Sequence, residues 1–152
     1  MATPISGLGQ RGVYFSQHEP AGGGSDIPKL INALRDRDSA EVRANAADAL
    51  RKIAEKAVPG LIEALRDANP SVRADAALAL RKIEKKASDA IPALIEALKD
   101  SDAEVHIHAS RALANIGEKA VPALIEALRD ENLSVRVGAS YALRDIEKNK
   151  VL

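Results

Sequence analysis

An all-α solenoid, four helical hairpins laid side by side behind a non-helical N-terminal tail, is the fold class this sequence predicts, and three observations predict it. One phrase is written four times: IPKLINALRD from Ile27, VPGLIEALRD from Val58, IPALIEALKD from Ile91 and VPALIEALRD from Val121. Each is followed by a second phrase, opening at Val42-Arg43, Val72-Arg73, Val105-His106 and Val135-Arg136, with Ala four, Leu eight and Ile eleven residues after the Val every time. The first phrases start 31, 33 and 30 residues apart. Self-similarity at such a period marks stacked units, each too thin to cover its own apolar face, with about three needed for stability.

Residues 1 to 25 differ in kind from the rest. They hold six of the nine glycines, Pro4, Pro20 and two of the three aromatics, and end in Ala21-Gly22-Gly23-Gly24-Ser25, a flexible linker by composition. Two segments follow: a Gly-rich tail and linker over 1–25 and a four-repeat array over 26–152. Ser25 or Asp26 is a good N-cap for the first helix, and Pro28 falls in its first turn, where a missing N–H costs nothing. In the first helix of each unit Ile27, Leu30, Ile31 and Leu34 make one stripe, repeated as Leu61/Ile62/Leu65, Leu94/Ile95/Leu98 and Leu124/Ile125/Leu128. In the second helix, at about 100° per residue, Ala46, Ala49, Leu50 and Ile53 cluster in one direction. Eight helices in four antiparallel pairs result. Small Ala residues let them approach closely, and the length differences fall between helices, as Ser88-Asp89-Ala90 does.

Composition narrows the function classes. Of 152 residues 46% are hydrophobic, enough for a real core, but Tyr14, Phe15 and Tyr141 are all the aromatics. Twenty-two basic residues balance twenty-two acidic ones with no block of like charge, so the electrostatic footprint of a nucleic-acid or anionic-membrane binder is missing. There is no cysteine, which excludes disulfides, thiolate metal sites and thiol nucleophiles. No apolar run approaches the roughly 18 residues of a membrane span, and residues 1–25 lack the pattern of a secretory signal. A soluble, cytoplasmic chain is expected.

The combined phrase, Pro-x-Leu-Ile-x-Ala-Leu-x-Asp, then Val-Arg-x-x-Ala, then Ala-Leu-x-x-Ile, resembles the HEAT repeat, in particular the short bacterial and archaeal form called PBS-lyase-like, over residues 27–146. It is also similar to the artificial alphaRep scaffolds built from that consensus. The resemblance implies a right-handed solenoid with the second helices on the concave side. It also implies a ladder between neighbouring units, here Asp36, Asp67, Asp100 and Asp130 with Arg43, Arg73 and Arg136. His106 stands where the third Arg is expected, so that step is expected to be weaker and sensitive to pH.

Positions two, six and nine residues after each Val point farthest from the core, at roughly 200°, 240° and 180°. Two after, the chain reads Ala44, Ala74, Ile107, Val137; six after, Asp48, Leu78, Arg111, Tyr141. With His108 beside them, Leu78, Ile107, Arg111, Val137 and Tyr141 are expected to form one partner-binding patch, rich in residue types that dominate binding hot spots. Gly138 is expected to leave a dip beside Tyr141. The bland reading is a scatter of ordinary exposed apolar residues.

Val13, Tyr14 and Phe15 hold the only consecutive aromatics, and three readings stand: a disordered leader or remnant, a cap over Leu30 and Ile31, or a short ligand on a tether. Ten residues from Phe15 to Ser25 span at most ~33 Å extended and typically ~17 Å as a coil. Helices stack ~8–10 Å apart, so the first unit is in easy reach, whereas the apolar patch is more readily met in trans, by self-association.

Enzymatic chemistry has little purchase. His106 and His108 diverge on their helix, unlike an i, i+4 metal pair, and Gly7-x-Gly9-x-x-Gly12 has neither the strand nor the helix of a dinucleotide loop. No catalytic residue, metal or cofactor is expected. The function read from the sequence is a non-enzymatic protein- or peptide-binding scaffold using the concave face. The alternative, by resemblance alone, is a bilin lyase-like accessory protein for phycobiliproteins.

Overall fold

The computed structural model describes residues 26–151, so the expected tail contacts, Val13, Tyr14 and Phe15, lie outside the described residues. Those described are helical, with no strand among them. In order the α-helices are α1 (Ile27–Leu34), α2 (Ala40–Lys52), α3 (Ala54–Ala64), α4 (Pro70–Ile83), α5 (Ile91–Ala97), α6 (Ala103–Ile116), α7 (Val121–Ala127) and α8 (Leu133–Val151). None is long and apolar enough to cross a membrane.

The turn inside each hairpin is written by two polar residues. Asp36, Asp67, Asp100 and Asp130 each accept a hydrogen bond from the amide two residues on, at 2.8 to 2.9 Å, which bends the chain out of the first helix. Ser39, Asn69, Asp102 and Asn132 then accept from amides in the first turn of the next helix and start it. Arg43, Arg73 and Arg136 each donate through Nη1 to the carbonyl of the turn Asp in the same unit, at 2.7, 2.8 and 2.7 Å. The arginines therefore clamp their own turns first.

Only one step of the expected ladder between units is formed among the described residues. Arg73 grips Asp100 of the next unit with Nε at 2.6 Å and Nη2 at 3.2 Å, both side chains being mostly buried. Burial alone would raise the Asp100 carboxyl, but hydrogen bonds from Arg73 and the Asp102 amide, with the Arg73 charge, hold it below its ordinary value. Arg43 makes no such bridge to Asp67. His106 replaces the ladder by donating from Nδ1 to the Leu98 carbonyl within its own unit, at 3.0 Å.

From residue 70 onward the stack is regular. α4 packs on α6 and α6 on α8, while α5 packs on α7. Ala76, Ala77 and Ala79 of α4 and Ala109 and Ala112 of α6, all buried, thin the α4–α6 contact to backbone-near packing. Leu80, Leu94, Leu98, Leu113 and Leu124 are fully buried, each contributing about 1.5–3 kcal/mol. Where a second helix hands over to the next unit, a residue with positive φ reverses the chain: Glu84 (φ 61) and Gly117 (φ 86), followed by 3-10 turns over Glu84–Ala90 and Gly117–Ala120.

The first hairpin departs from this pattern. Ala54 occupies the position of Glu84 and Gly117, yet it is helical, and α2 runs into α3 through the single residue Ile53 at φ −107. Because α3 starts early, Pro59 lies inside it, whereas Pro28, Pro92 and Pro122 sit in first turns. α1 packs on α2 and lies against α4, and α2 also packs on α4. Arg35, at the end of α1, pairs with Asp75 of α4 at 2.8 Å and reaches Glu104 of α6 at 3.8 Å. Every residue from Ala74 to Leu80 is buried. Val42 is meanwhile 39% exposed, although its counterparts Val72, Val105 and Val135 lie in the core.

Candidate functional site

The second helices α6 and α8 carry a groove of about 360 Å³ between them. α6 contributes His106, Ile107, Ser110 and Arg111; the opposite bank, from α8, is Tyr141, Arg144, Asp145 and Lys148. Ile107 and Tyr141 are 45% and 54% exposed, large apolar surface left in water on neighbouring helices. The Arg144 guanidinium lies 5.4 Å from the centre of the Tyr141 ring, a cation–π distance that holds both side chains at the rim.

The residues expected to form one patch divide three ways. Ile107, Arg111 and Tyr141 come together in this groove. Val137 is exposed but lies in an adjoining, more open depression with Leu128, Arg136 and Ser140, which meets the groove at Tyr141 and Arg144. Leu78 is corrected outright: it is only 7% exposed. Its column predicts exposure, but α4 is enclosed along its middle, every residue from Ala74 to Leu80 being buried.

His108 is half-buried, and the Arg81 guanidinium donates to its Nδ1 at 3.3 Å, which places the ring proton on Nε2. Burial first, then the charge of Arg81, push the His108 imidazole down to about 4, so it is a neutral wall of the face at pH 7. The dip expected at Gly138 is filled. A Cβ there would lie 2.7 Å from Leu98 Cδ2 and 3.2 Å from His106 Cε1, and Ser110 Oγ donates to the Gly138 carbonyl at 2.8 Å. Gly138 thus lets α6 and α8 approach, and a partner's side chain has no room at it.

Sequence reasoning missed Arg81, Arg144 and Lys148. The first two fall in the column nine residues after the Val, which reads Arg51, Arg81, Ala114, Arg144 and was the available signal. A smaller depression of about 180 Å³, lined by Arg81, Arg111, Asn115 and Lys148 among others, continues the groove toward α4. Asn115 Nδ2 donates to the Arg81 carbonyl at 3.0 Å and ties the two helices there. Among the described residues no cluster of three His, Asp or Glu side chains is arranged to hold a metal.

Hairpins of about thirty residues, stacked second helix on second helix with a recurrent Asp turn and Arg clamp, define a helical-repeat protein. A model of HEAT repeats matches residues 27–106 and again 91–152, and the chain belongs to the HEAT-repeat family. Three solved structures illustrate what it is similar to. An engineered protein is 28% identical with a TM-score of 0.42, the match covering 80% of this chain and 62% of that one. A designed armadillo repeat protein in complex with the peptide (KR)4 is 27% identical with a TM-score of 0.47, covering 81% and 64%. The complex of CpcE and CpcF of phycocyanin lyase from Nostoc sp. is 26% identical with a TM-score of 0.46, covering 95% and 60%. The chain spans roughly three fifths of the length of these matched chains. No curated protein sequence matches it.

Proposed function

We propose that this chain is a non-enzymatic scaffold that holds a peptide segment of a protein partner across α6 and α8. The observation that carries the reading is the pairing of Ile107 and Tyr141, both about half exposed, on opposite banks of one groove that also holds Arg111 and Arg144. Tyr and Arg at the centre of an apolar-edged depression are the residue types that concentrate binding energy, and exposed apolar side chains that adjoin mark interaction sites more than scattered ones do. In this reading residues 26–152 form a right-handed solenoid of four hairpins in the cytoplasm, and residues 1–25 are a separate tail.

The test is selection of a random peptide library against the whole protein, followed by rebinding to the variant Ile107→Ser with Tyr141→Ala. Enriched peptides that lose binding to the variant, while its far-UV circular dichroism stays unchanged, support the groove. Peptides that bind the variant equally well move the site elsewhere, and a library that yields no ligand counts against the scaffold reading itself.

A further inference from the structure

The charge balance of the whole chain conceals a local excess. Arg81 on α4, Arg111 on α6, and Arg144 and Lys148 on α8 line the groove and its continuation, with Asp145 as the carboxylate among them. Six cations outside the groove, Arg35, Arg51, Lys52, Arg73, Lys99 and Lys150, have a carboxylate within 4.0 Å; others, such as Arg66 and Arg129, stand singly rather than gathered on one face. Among the described residues none of the four groove cations has such a carboxylate. Burial and then the neighbouring Arg111 charge make it harder for Arg81 to keep its proton, as expected of cations gathered without counter-ions.

Resting on the scaffold reading above, we infer that the groove takes an acidic peptide, extended across the helices, with one apolar side chain seated between Ile107 and Tyr141. Successive helices in a packed layer lie ~8–10 Å apart, and an extended chain advances ~3.3 Å per residue. Carboxylates at every third residue therefore match the steps from Arg81 to Arg111 to Arg144. Three of the four cations are arginines, whose planar fork takes a carboxylate bidentately. Nucleic acid is the less suitable polyanion: Asp145 sits inside the trough, and an apolar anchor site has no use for a phosphate backbone.

The experiment is fluorescence anisotropy on the full chain with a labelled peptide of about ten residues bearing Glu at every third position and a terminal Leu. It is run beside the same peptide with Gln for Glu, with Lys for Glu, and beside labelled oligothymidylate. The Glu peptide is expected to bind, more weakly as salt is added, and Arg111→Gln with Arg144→Gln to weaken it about tenfold, a change of ~1.4 kcal/mol. The Lys peptide is expected not to bind. Equal binding of the Gln peptide, or library ligands without acidic residues, overturns the charge inference and leaves the groove standing. Tighter binding of oligothymidylate overturns it in favour of nucleic acid. Failure of both the Glu peptide and the library removes both readings.

Discussion

The first hairpin and the three that follow share a phrase but meet their neighbours differently. From α4 to α8 each second helix lies on the next, and Glu84 and Gly117 reverse the chain between units with positive φ. Between α2 and α3 the same position holds Ala54 in a helix, and Arg35 at the end of α1 pairs with the buried Asp75 of α4. The difference teaches that one backbone position per repeat decides how the chain passes between units, through a positive φ and a 3-10 turn or straight into the next helix. The face differs along the array as well, with Leu78 buried while Ile107 and Tyr141 stay open.

The contrast is broken most strongly at Arg35. Its counterpart in the second unit, Arg66, is exposed and without an ion pair, so Arg66→Ala is expected to stay within about 0.5 kcal/mol of wild type. Arg35→Ala strips a cation from a carboxylate with no exposed surface and is expected to cost about 3 kcal/mol, read as a lower urea midpoint. Equal midpoints for the two variants would sink the docked position of α1.

Next in size is the ladder. Arg43→Ala removes a clamp on its own turn and should cost about 1 kcal/mol, whereas Arg73→Ala also removes the Asp100 pair and should cost about 2–3 kcal/mol. The Asp100 carboxyl is held below its ordinary 3.8, so this extra stability is fully present above pH 3.8. It fades as pH falls below that value through the folded one, and the gap between the variants should narrow there.

The linker residues sharpen the comparison by sign. At Glu84, φ 61 and ψ −131 strain any side chain, so Glu84→Gly is expected to stabilise by about 1 kcal/mol after loss of the exposed Arg51 pair. Ala54→Gly, at the same repeat position but helical, is expected to destabilise by about 0.5–1 kcal/mol. Thermal melts that move in the same direction would contradict the two geometries.

An effect confined to acid pH is expected at His108. With its imidazole lowered from 6.5 to about 4, stability is at its plateau above pH 6.5 and is lost as pH falls toward 4, because the unfolded ring takes up a proton first. His108→Gln should flatten that part of the profile by about 1 kcal/mol at pH 5, the ring being partly wet. Matched urea titrations at pH 7 and 5 measure it.

The sequence by itself determined the repeat, the helix boundaries set by Pro, Asp and the N-caps, and the small-residue core. Each of these is local chemistry between residues a few positions apart, which a linear pattern records. It also pointed to Ile107, Arg111 and Tyr141, whose outward direction follows from helical phase. Only the tertiary structure decided that α1 lies on α4, that Leu78 is core, that Leu98 fills the space at Gly138 and that four unpaired cations share one trough. Those outcomes depend on how whole helices are placed, and a single φ value at residues 54, 84 and 117 redirects everything that follows it, a quantity the repeated phrase does not encode.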